Sequence, residues 1–275
     1  MKQASANIIE NHQILKSFSR PQGRNILGSW IIWLNCPEIS REARPGQFVM
    51  VRCGGECVLP RPFSIHQVND DSIALFYVVW EDGKGTGWLS QREVSDNINL
   101  FGPLGNGFSI QPDSRNLLLV AGGTGIAPLY FLAQEALKRD CSVTLLRGAQ
   151  TATQLYPEPL LPPGIKLVTA TEDGTAGKKG LVTDLVPDFV DRADQVFACG
   201  PMPMYRNMAI QKQKLKLTEK SAQISLEVRM GCGLGVCYGC TVKTKNGLKQ
   251  VCKDGPIFDL NDILWEELNL TAGGV

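Results

Sequence analysis

From Ile8 to about Phe108 the apolar positions come in short runs rich in β-branched and aromatic residues, broken by turn residues about every eight to twelve positions. The runs are Gly28 to Leu34, Gln47 to Arg52, Phe63 to Gln67, Ile73 to Trp80 and Ile98 to Leu100. Short strands at that spacing predict a small antiparallel β-barrel. Near Pro112 to Ser114 the rhythm changes. Strand-like runs at Asn116 to Ala121, Ser142 to Arg147, Lys166 to Ala170 and Gln195 to Cys199 now alternate with helical stretches at Ala127 to Lys138, Leu181 to Phe189 and Met202 to Lys216. That is the grammar of a parallel α/β sheet. In the first of these helices Leu129, Leu132, Ala133, Ala136 and Leu137 form a stripe at helical spacing, which reads as core. The chain is therefore expected to be multidomain. Residues 1–110 would be the barrel and 111–220 the α/β domain. Residues 221–275 would be a small C-terminal module, closed by Ile257 to Trp265.

Composition narrows the class of partner. With 275 residues, 43% of them hydrophobic, the chain is long enough for about two cores. Its 28 basic and 27 acidic residues leave a formal charge of +1, which recommends neither nucleic acid nor an anionic membrane. No run approaches the roughly 18 apolar residues of a membrane span. Met1 to Ile14 lacks the apolar centre of a signal peptide. Nine cysteines, an odd number, fit thiolate ligands in a reducing cytoplasm.

Four of those cysteines carry the strongest chemistry. Cys232, Cys237, Cys240 and Cys252 are spaced C-x4-C-x2-C-x11-C, and the first three follow the plant-type ferredoxin order for a 2Fe-2S cluster. The glycines between Met230 and Cys240 let the backbone turn tightly and aim N–H groups at sulfur. Structural zinc is the main alternative, although it usually pairs two short hooks and only one is present; a disulfide framework is the other. Cys36, Cys53, Cys57, Cys141 and Cys199 are scattered. Cys53 and Cys57 could form a second hook, but no further cysteine or histidine lies nearby in sequence to complete it. Only two histidines occur, so His66 is the only plausible histidine acid or base, and its simpler reading is a strand residue near a ligand.

Glycine-rich turns supply the remaining candidates. Gly122, Gly123, Thr124 and Gly125 lie between an apolar strand and a helix opening with Pro128, a partial match to the dinucleotide-binding fingerprint that is read either as a phosphate loop or as a tight turn. Cys199-Gly-Pro-Met202 follows another strand at its carboxyl end, where α/β sheets bind ligands; Cys199 either faces a cofactor ring there or is a buried thiol. In the first region Arg61-Pro-Phe-Ser64 heads a strand, and Asp82-Gly-Lys-Gly-Thr-Gly87 makes a glycine-rich loop. An arginine with such a loop can clamp a pyrophosphate, and a serine hydroxyl can bond a flavin ring nitrogen. Phe101 to Phe108 reads as a connecting turn.

The order of these pieces resembles the ferredoxin-NADP reductase superfamily over residues of about 8 to 215. The resemblance implies FAD or FMN on the barrel and NAD(P)H on the α/β domain. It makes Arg61 a pyrophosphate ligand within Arg61, Pro62, Phe63 and Ser64, and makes Ser64 the partner of flavin N5. It places Gly83, Lys84, Gly85 and Thr86 at the flavin phosphates, Gly122 to Gly125 at the dinucleotide, and Cys199 at the nicotinamide edge. Gly102 to Gly107, Glu172 to Gly177 and Met230 to Cys237 extend the likeness. Nearly the whole chain resembles the electron-transfer subunits of the bacterial and archaeal NAD-dependent, two-subunit dihydroorotate dehydrogenases. Val228 and Gly231 replace the more usual Glu and Ala.

That resemblance implies FAD and a 2Fe-2S cluster in this chain, NAD as co-substrate, and an FMN-containing catalytic partner in a heterotetramer with two copies of each subunit. Dihydroorotate would be oxidised on the partner, in pyrimidine biosynthesis, with NAD receiving the hydride here. The competing readings are a relay subunit of a hydrogenase or of a sulfide- or ferredoxin-linked reductase, and a non-enzymatic redox sensor. Arg147, at the end of the second α/β strand, is the one residue there that could reach the 2′-phosphate of NADPH; the resemblance favours NADH.

Overall fold

The computed structural model describes residues 1–17 and 25–268; the expected end of the C-terminal module, 269–275, lies outside the described residues. Six strands close the barrel: β1 (Lys2–Leu15), β2 (Ile26–Asn35), β3 (Phe48–Val51), β4 (Arg61–Val68), β5 (Ser72–Trp80) and β6 (Asn97–Leu104). Their order is β1-β2-β5-β4-β3-β6, with β6 returning to β1, and all pairs are antiparallel. Five of the six are the runs the hydrophobic pattern predicts. The first is not, because β1 is polar at most positions and buries fully only Ala6 and Ile8.

Two short helices belong to the barrel, α1 (Pro37–Ser40) and α2 (Lys84–Ser90). Where the sequence predicts a glycine loop after Asp82, the chain forms α2. Leu89 is the reason: it is fully buried in the barrel core, and its burial overrides the poor helix propensity of the glycines.

The second sheet has order β10-β9-β8-β7-β11-β12-β15. Its members are β7 (Asn116–Gly122), β8 (Ser142–Ala149), β9 (Lys166–Thr171), β10 (Lys178–Lys179), β11 (Gln195–Cys199), β12 (Ser221–Ser225) and β15 (Ile257–Asp259); between the last two, β13 (Thr241–Thr244) and β14 (Gly247–Gln250) make a separate hairpin. All neighbours are parallel except β12 and β15. The continuous apolar run of β7 follows from this position, since a central parallel strand is covered on both faces.

Four further α-helices lie among the described residues: α3 (Ile126–Lys138), α4 (Val186–Phe189), α5 (Met202–Ile210) and α6 (Val251–Asp254). The predicted stripe of α3 faces the sheet, but Phe131 packs into the barrel core. α3 is thus the layer between barrel and sheet. The predicted helix Leu181 to Phe189 splits into a 3-10 turn and α4 at Pro187, which has no N–H to continue a ladder. The helix predicted to reach Lys216 stops at Ile210, and Lys216 adopts a positive φ.

The sheet crosses the expected boundary at residue 220. β12 pairs with β11 and β15 with β12, so both ends of the C-terminal module are strands of the α/β sheet. One continuous core follows, in which Phe48, Met50 and Leu104 of the barrel pack with Cys240, Val242 and Cys252.

Candidate functional site

On the barrel, Arg61 opens β4 and α2 is folded against it. A Cβ on Gly85 would sit 3.2 Å from Arg61 Cγ and 3.4 Å from Nε. Glycine lets the first turn of α2, with its unpaired N–H groups, approach the arginine this closely without displacing it. Gly83 is the N-cap, and Lys84 leans away to Glu56 at 3.5 Å. Arg61 itself donates to the Leu59 carbonyl at 3.1 Å and contacts Cys57 Sγ at 3.8 Å. Arg61 and the unpaired N–H groups of the helix start together form a cradle of donors, which suits a pyrophosphate. Along β4, Phe63 turns into the barrel core while Ser64, half-buried, lies on the outer face opposite Phe48 of β3.

At the end of β7, Gly122 leads into the turn Gly123–Gly125 and then α3. This loop is pressed backbone to backbone on Cys199 and Gly200. A Cβ on Gly125 would lie 1.9 Å from the Cys199 carbonyl oxygen, and one on Gly122 would meet Met204 and Pro201 at 2.9 Å. Gly123, at φ +54, has nothing within 4 Å of its missing Cβ, so that side of the loop is open. The sequence places these two glycine motifs far apart, and the sheet order β7-β11 makes them neighbours.

Cys199 is fully buried, and its thiol turns towards β12, 3.8 Å from the Ser225 carbonyl and 3.6 Å from Glu227 Oε1. Burial first, then the Glu227 carboxylate, pushes this thiol well above its ordinary range, so it is neutral. Burial likewise raises the Glu227 carboxyl. Tyr205 closes the cluster, accepting from Gly200 N at 2.9 Å and donating to the Ser225 carbonyl at 2.5 Å. Neither Glu227 nor Tyr205 carries a sequence signal, since an acid just after a strand and a tyrosine in a helix are unremarkable until the fold brings them together at Cys199.

The four C-terminal cysteines gather two by two. The Cys232 thiol meets that of Cys237, and the Cys240 thiol that of Cys252, which also feels Cys232. The β13–β14 hairpin brings the fourth cysteine, on α6, back to the loop. Two pairs of thiols supply the four ligands that a two-iron cluster takes. Backbone N–H groups point at sulfur: Leu234 to Cys232 at 3.3 Å, Gly235 to Cys252 at 3.1 Å and Cys252 to Cys240 at 3.4 Å. Positive φ angles at Gly233 and Gly235 aim them. Burial raises the Cys232 thiol, but the N–H groups of Leu234, Cys237 and Val236, with the Cys237 thiol, outweigh it and bring it to about 6. Burial and then the Cys240 thiol push Cys252 up to about 12. These residues fit an anionic 2Fe-2S cluster.

The cluster loop lies on the barrel. A Cβ on Gly233 would come within 2.6 Å of Met50 Cγ, and Met50 pairs across the sheet with Pro62 of the Arg61 to Ser64 segment. Asn106 fastens the contact from the other side. Its Nδ2 donates to the carbonyls of Asp254 (3.1 Å) and Ile257 (2.8 Å), and its Oδ1 accepts from Ile257 N at 2.9 Å. The stretch read as a connecting turn is therefore a brace between barrel and cluster module.

Cys36 and Cys53 stay thiols by their surroundings. Burial raises Cys36 to about 11 and Cys53 to about 12. His66 does not face the candidate site. Its ring is enclosed between β4, α3 and Tyr156. Arg147 is held by the Tyr156 carbonyl (2.6 Å), Thr169 Oγ1 (2.9 Å) and Glu158 (3.2 Å), which occupies the one arginine considered for a 2′-phosphate. Among the described residues no helix is long and apolar enough to cross a membrane.

Residues 227–264 match the iron-sulfur cluster binding domain of dihydroorotate dehydrogenase B, and residues 119–209 the oxidoreductase NAD-binding domain. The electron transfer subunit of dihydroorotate dehydrogenase B (NAD(+)) from Caldanaerobacter subterraneus subsp. tengcongensis is 38% identical over 229 residues, covering 82% of this chain and 89% of the relative. Its counterpart from Desulforamulus reducens is 36% identical over 241 residues, covering 84% and 91%. Among solved structures, an NADH-dependent reduced ferredoxin-NADP oxidoreductase of flavin-based electron bifurcation superposes with a TM-score of 0.81 at 29% identity, covering 96% of this chain and 91% of that one. A ferredoxin reductase of carbazole 1,9a-dioxygenase shares the fold at a TM-score of 0.62 and 19% identity, over 79% and 66%. With more than a third of the aligned residues identical over most of both lengths, the chain belongs to the family of electron transfer subunits of dihydroorotate dehydrogenase B (NAD(+)).

Proposed function

We propose that this chain passes electrons between an FMN-bearing, dihydroorotate-oxidising partner and NAD, in a heterotetramer of two copies of each subunit. The observation that carries the reading is the packing of the Gly233 loop on Met50, one strand away from Arg61 to Ser64. When bound, the cluster supplies one-electron exchange, FAD converts between one-electron and two-electron traffic, and NAD takes or gives hydride.

This chain's own residues hold and orient those groups. Cys232, Cys237, Cys240 and Cys252 are the proposed cluster ligands, with the Leu234 and Gly235 amides bonding sulfur. Arg61 and the N–H groups from Gly83 to Thr86 would take the FAD pyrophosphate, and Ser64 would address the flavin ring. Gly122 to Gly125 would admit the dinucleotide phosphates at the start of α3. Cys199, a neutral thiol buried against Ser225 and Glu227, would support the nicotinamide edge from within the sheet rather than attack. For the domains, 1–110, 111–220 and 221–275 remain the working division, with β12 and β15 stitched into the central sheet.

A second reading draws support from the likeness to the ferredoxin-linked oxidoreductase over 96% of the chain. In it the same relay serves a different catalytic partner. Purifying the chain from its host with whatever accompanies it distinguishes the two. The first reading expects an FMN subunit in equal copies, one FAD and about two irons per chain, and dihydroorotate-dependent reduction of NAD. A partner active with ferredoxin and inert with dihydroorotate would decide for the second.

A further inference from the structure

His66 lies two residues beyond Ser64 on β4, on the same outer face of the barrel. The β4–β5 register slips between Ile65 and Gln67, so both Ile65 and His66 are buried: Ile65 in the barrel core, His66 against α3. Its Nδ1 is 2.9 Å from the Ala127 carbonyl and its Nε2 is 3.0 Å from the Tyr156 hydroxyl. A carbonyl can only accept, so Nδ1 carries the proton and Nε2 accepts the Tyr156 O–H. Both ring nitrogens are thus spent on the α/β domain. Ala127 is in the first turn of α3, directly after Gly122 to Gly125. Phe76 and Tyr130 wall the ring, with centroids at 5.6 and 4.5 Å. Beyond Tyr156 the connection continues: Arg147 at the end of β8 bonds the Tyr156 carbonyl and reaches Thr169 on β9.

We infer that His66 is a positioning residue, which fixes the dinucleotide loop and α3 in register with the flavin strand β4 through Ala127 and Tyr156. An apolar side chain of similar size could fill the space. It could not set the distance, because two directed bonds from one rigid ring define where the helix start sits relative to Ser64. The ring stays neutral in this role, as burial lowers it to about 4. The inference rests on the reading that flavin and nicotinamide meet between these two elements.

The test is stopped-flow reduction of the FAD by saturating NADH in the purified complex, for wild type, His66→Leu, His66→Gln and Tyr156→Phe. FAD content is measured first. If the wild type shows no NADH-driven FAD reduction, the functional reading fails, whatever His66 does. Given an active wild type, His66→Leu is expected to keep its FAD and lose about 10- to 100-fold in the reduction rate, the scale of a misplaced reactant pair. The long-wavelength absorbance of stacked nicotinamide and flavin should weaken with it. His66→Gln, whose amide can donate to Ala127 and accept from Tyr156, should recover most of the rate, and Tyr156→Phe should lose part of it. Rates in His66→Leu equal to wild type would overturn the inference. So would equal losses in the Leu and Gln variants, which would make the ring a matter of packing. If His66→Leu does not fold, an unchanged rate and absorbance in Tyr156→Phe would overturn it alone.

Discussion

Replacing Asn106 by alanine tests whether the cluster module is held to the barrel by a few directed bonds. The side chain makes three hydrogen bonds, all to the backbone of residues 254–257. Removing it strands one N–H and two carbonyls in a part-buried seam. At about 1 kcal/mol net for each bond, the loss is roughly 3 kcal/mol. In a protein of this size that corresponds to a melting shift of about 6–12 °C, provided the seam melts with the whole. If the module opens first, the same energy appears as early loss of the cluster while the flavin stays bound.

The assay follows visible absorbance of cluster and flavin together with circular dichroism through a thermal ramp, on the holoprotein. Asn106→Asp is the informative companion: it keeps the acceptor for Ile257 N but loses both donors, and it sets a carboxylate against two carbonyls. It should be at least as destabilising as alanine. An Asn106→Ala protein with wild-type melting and wild-type cluster retention would refute the reasoning, because the three bonds would then be replaceable by water at no cost.

Three further outcomes are expected. Arg61→Ala should weaken FAD retention by about 10- to 100-fold, the worth of charge-assisted phosphate bonds, while Arg61→Lys restores only part of it; stoichiometric FAD in the alanine variant, measured by flavin fluorescence after dialysis, would remove Arg61 from the site. Gly125→Ala, whose Cβ would meet the Cys199 carbonyl at 1.9 Å, should abolish NADH-driven reduction or folding, whereas Gly123→Ala, with open space but φ +54, should cost about 1–2 kcal/mol of stability and raise the KM for NADH. Cys240→Ser should lose the cluster, since a serine hydroxyl is a poor stand-in for a soft thiolate, yet keep NADH activity with an artificial two-electron acceptor. Full partner-linked turnover in an assembled, cluster-free complex would make the cluster structural.

What the sequence disclosed and what it hid divide along physical lines. The strands β2 to β9 and β11 announce themselves because burial on one or both faces imposes a period, and α3 because its stripe is unbroken. The cysteine spacing and the glycine turns are legible because few residues can do that chemistry. Glu227, Tyr205 and Met50 were silent, and Asn106 stood in a stretch marked only by its family likeness and read as a turn. Each acts through a partner 20 or more residues away, so its role is not visible in its own neighbourhood. α2 was misleading for the opposite reason: its glycines state a local preference that the burial of Leu89 overrules.

The same division explains how the candidate sites are spaced. Where two of them meet, glycine allows the close approach: Gly125 lies on the Cys199 backbone and Gly105 on the Gly255 carbonyl, while Gly233 makes room for the Met50 side chain. Contacts through backbone have no rotamers to relax, so the separations they set are nearly fixed. The C-terminal module strengthens this, because its flanking strands β12 and β15 are paired into the central sheet rather than joined to it by a linker. A carrier that swings on a tether could serve several partners; a cluster loop flanked by strands of the sheet and packed on β3 cannot change its distance to the neighbouring β4 without breaking the shared core. Electron transfer inside this chain is therefore expected to be insensitive to viscosity and to partner identity, and any gating must lie where the nicotinamide enters or where the partner docks.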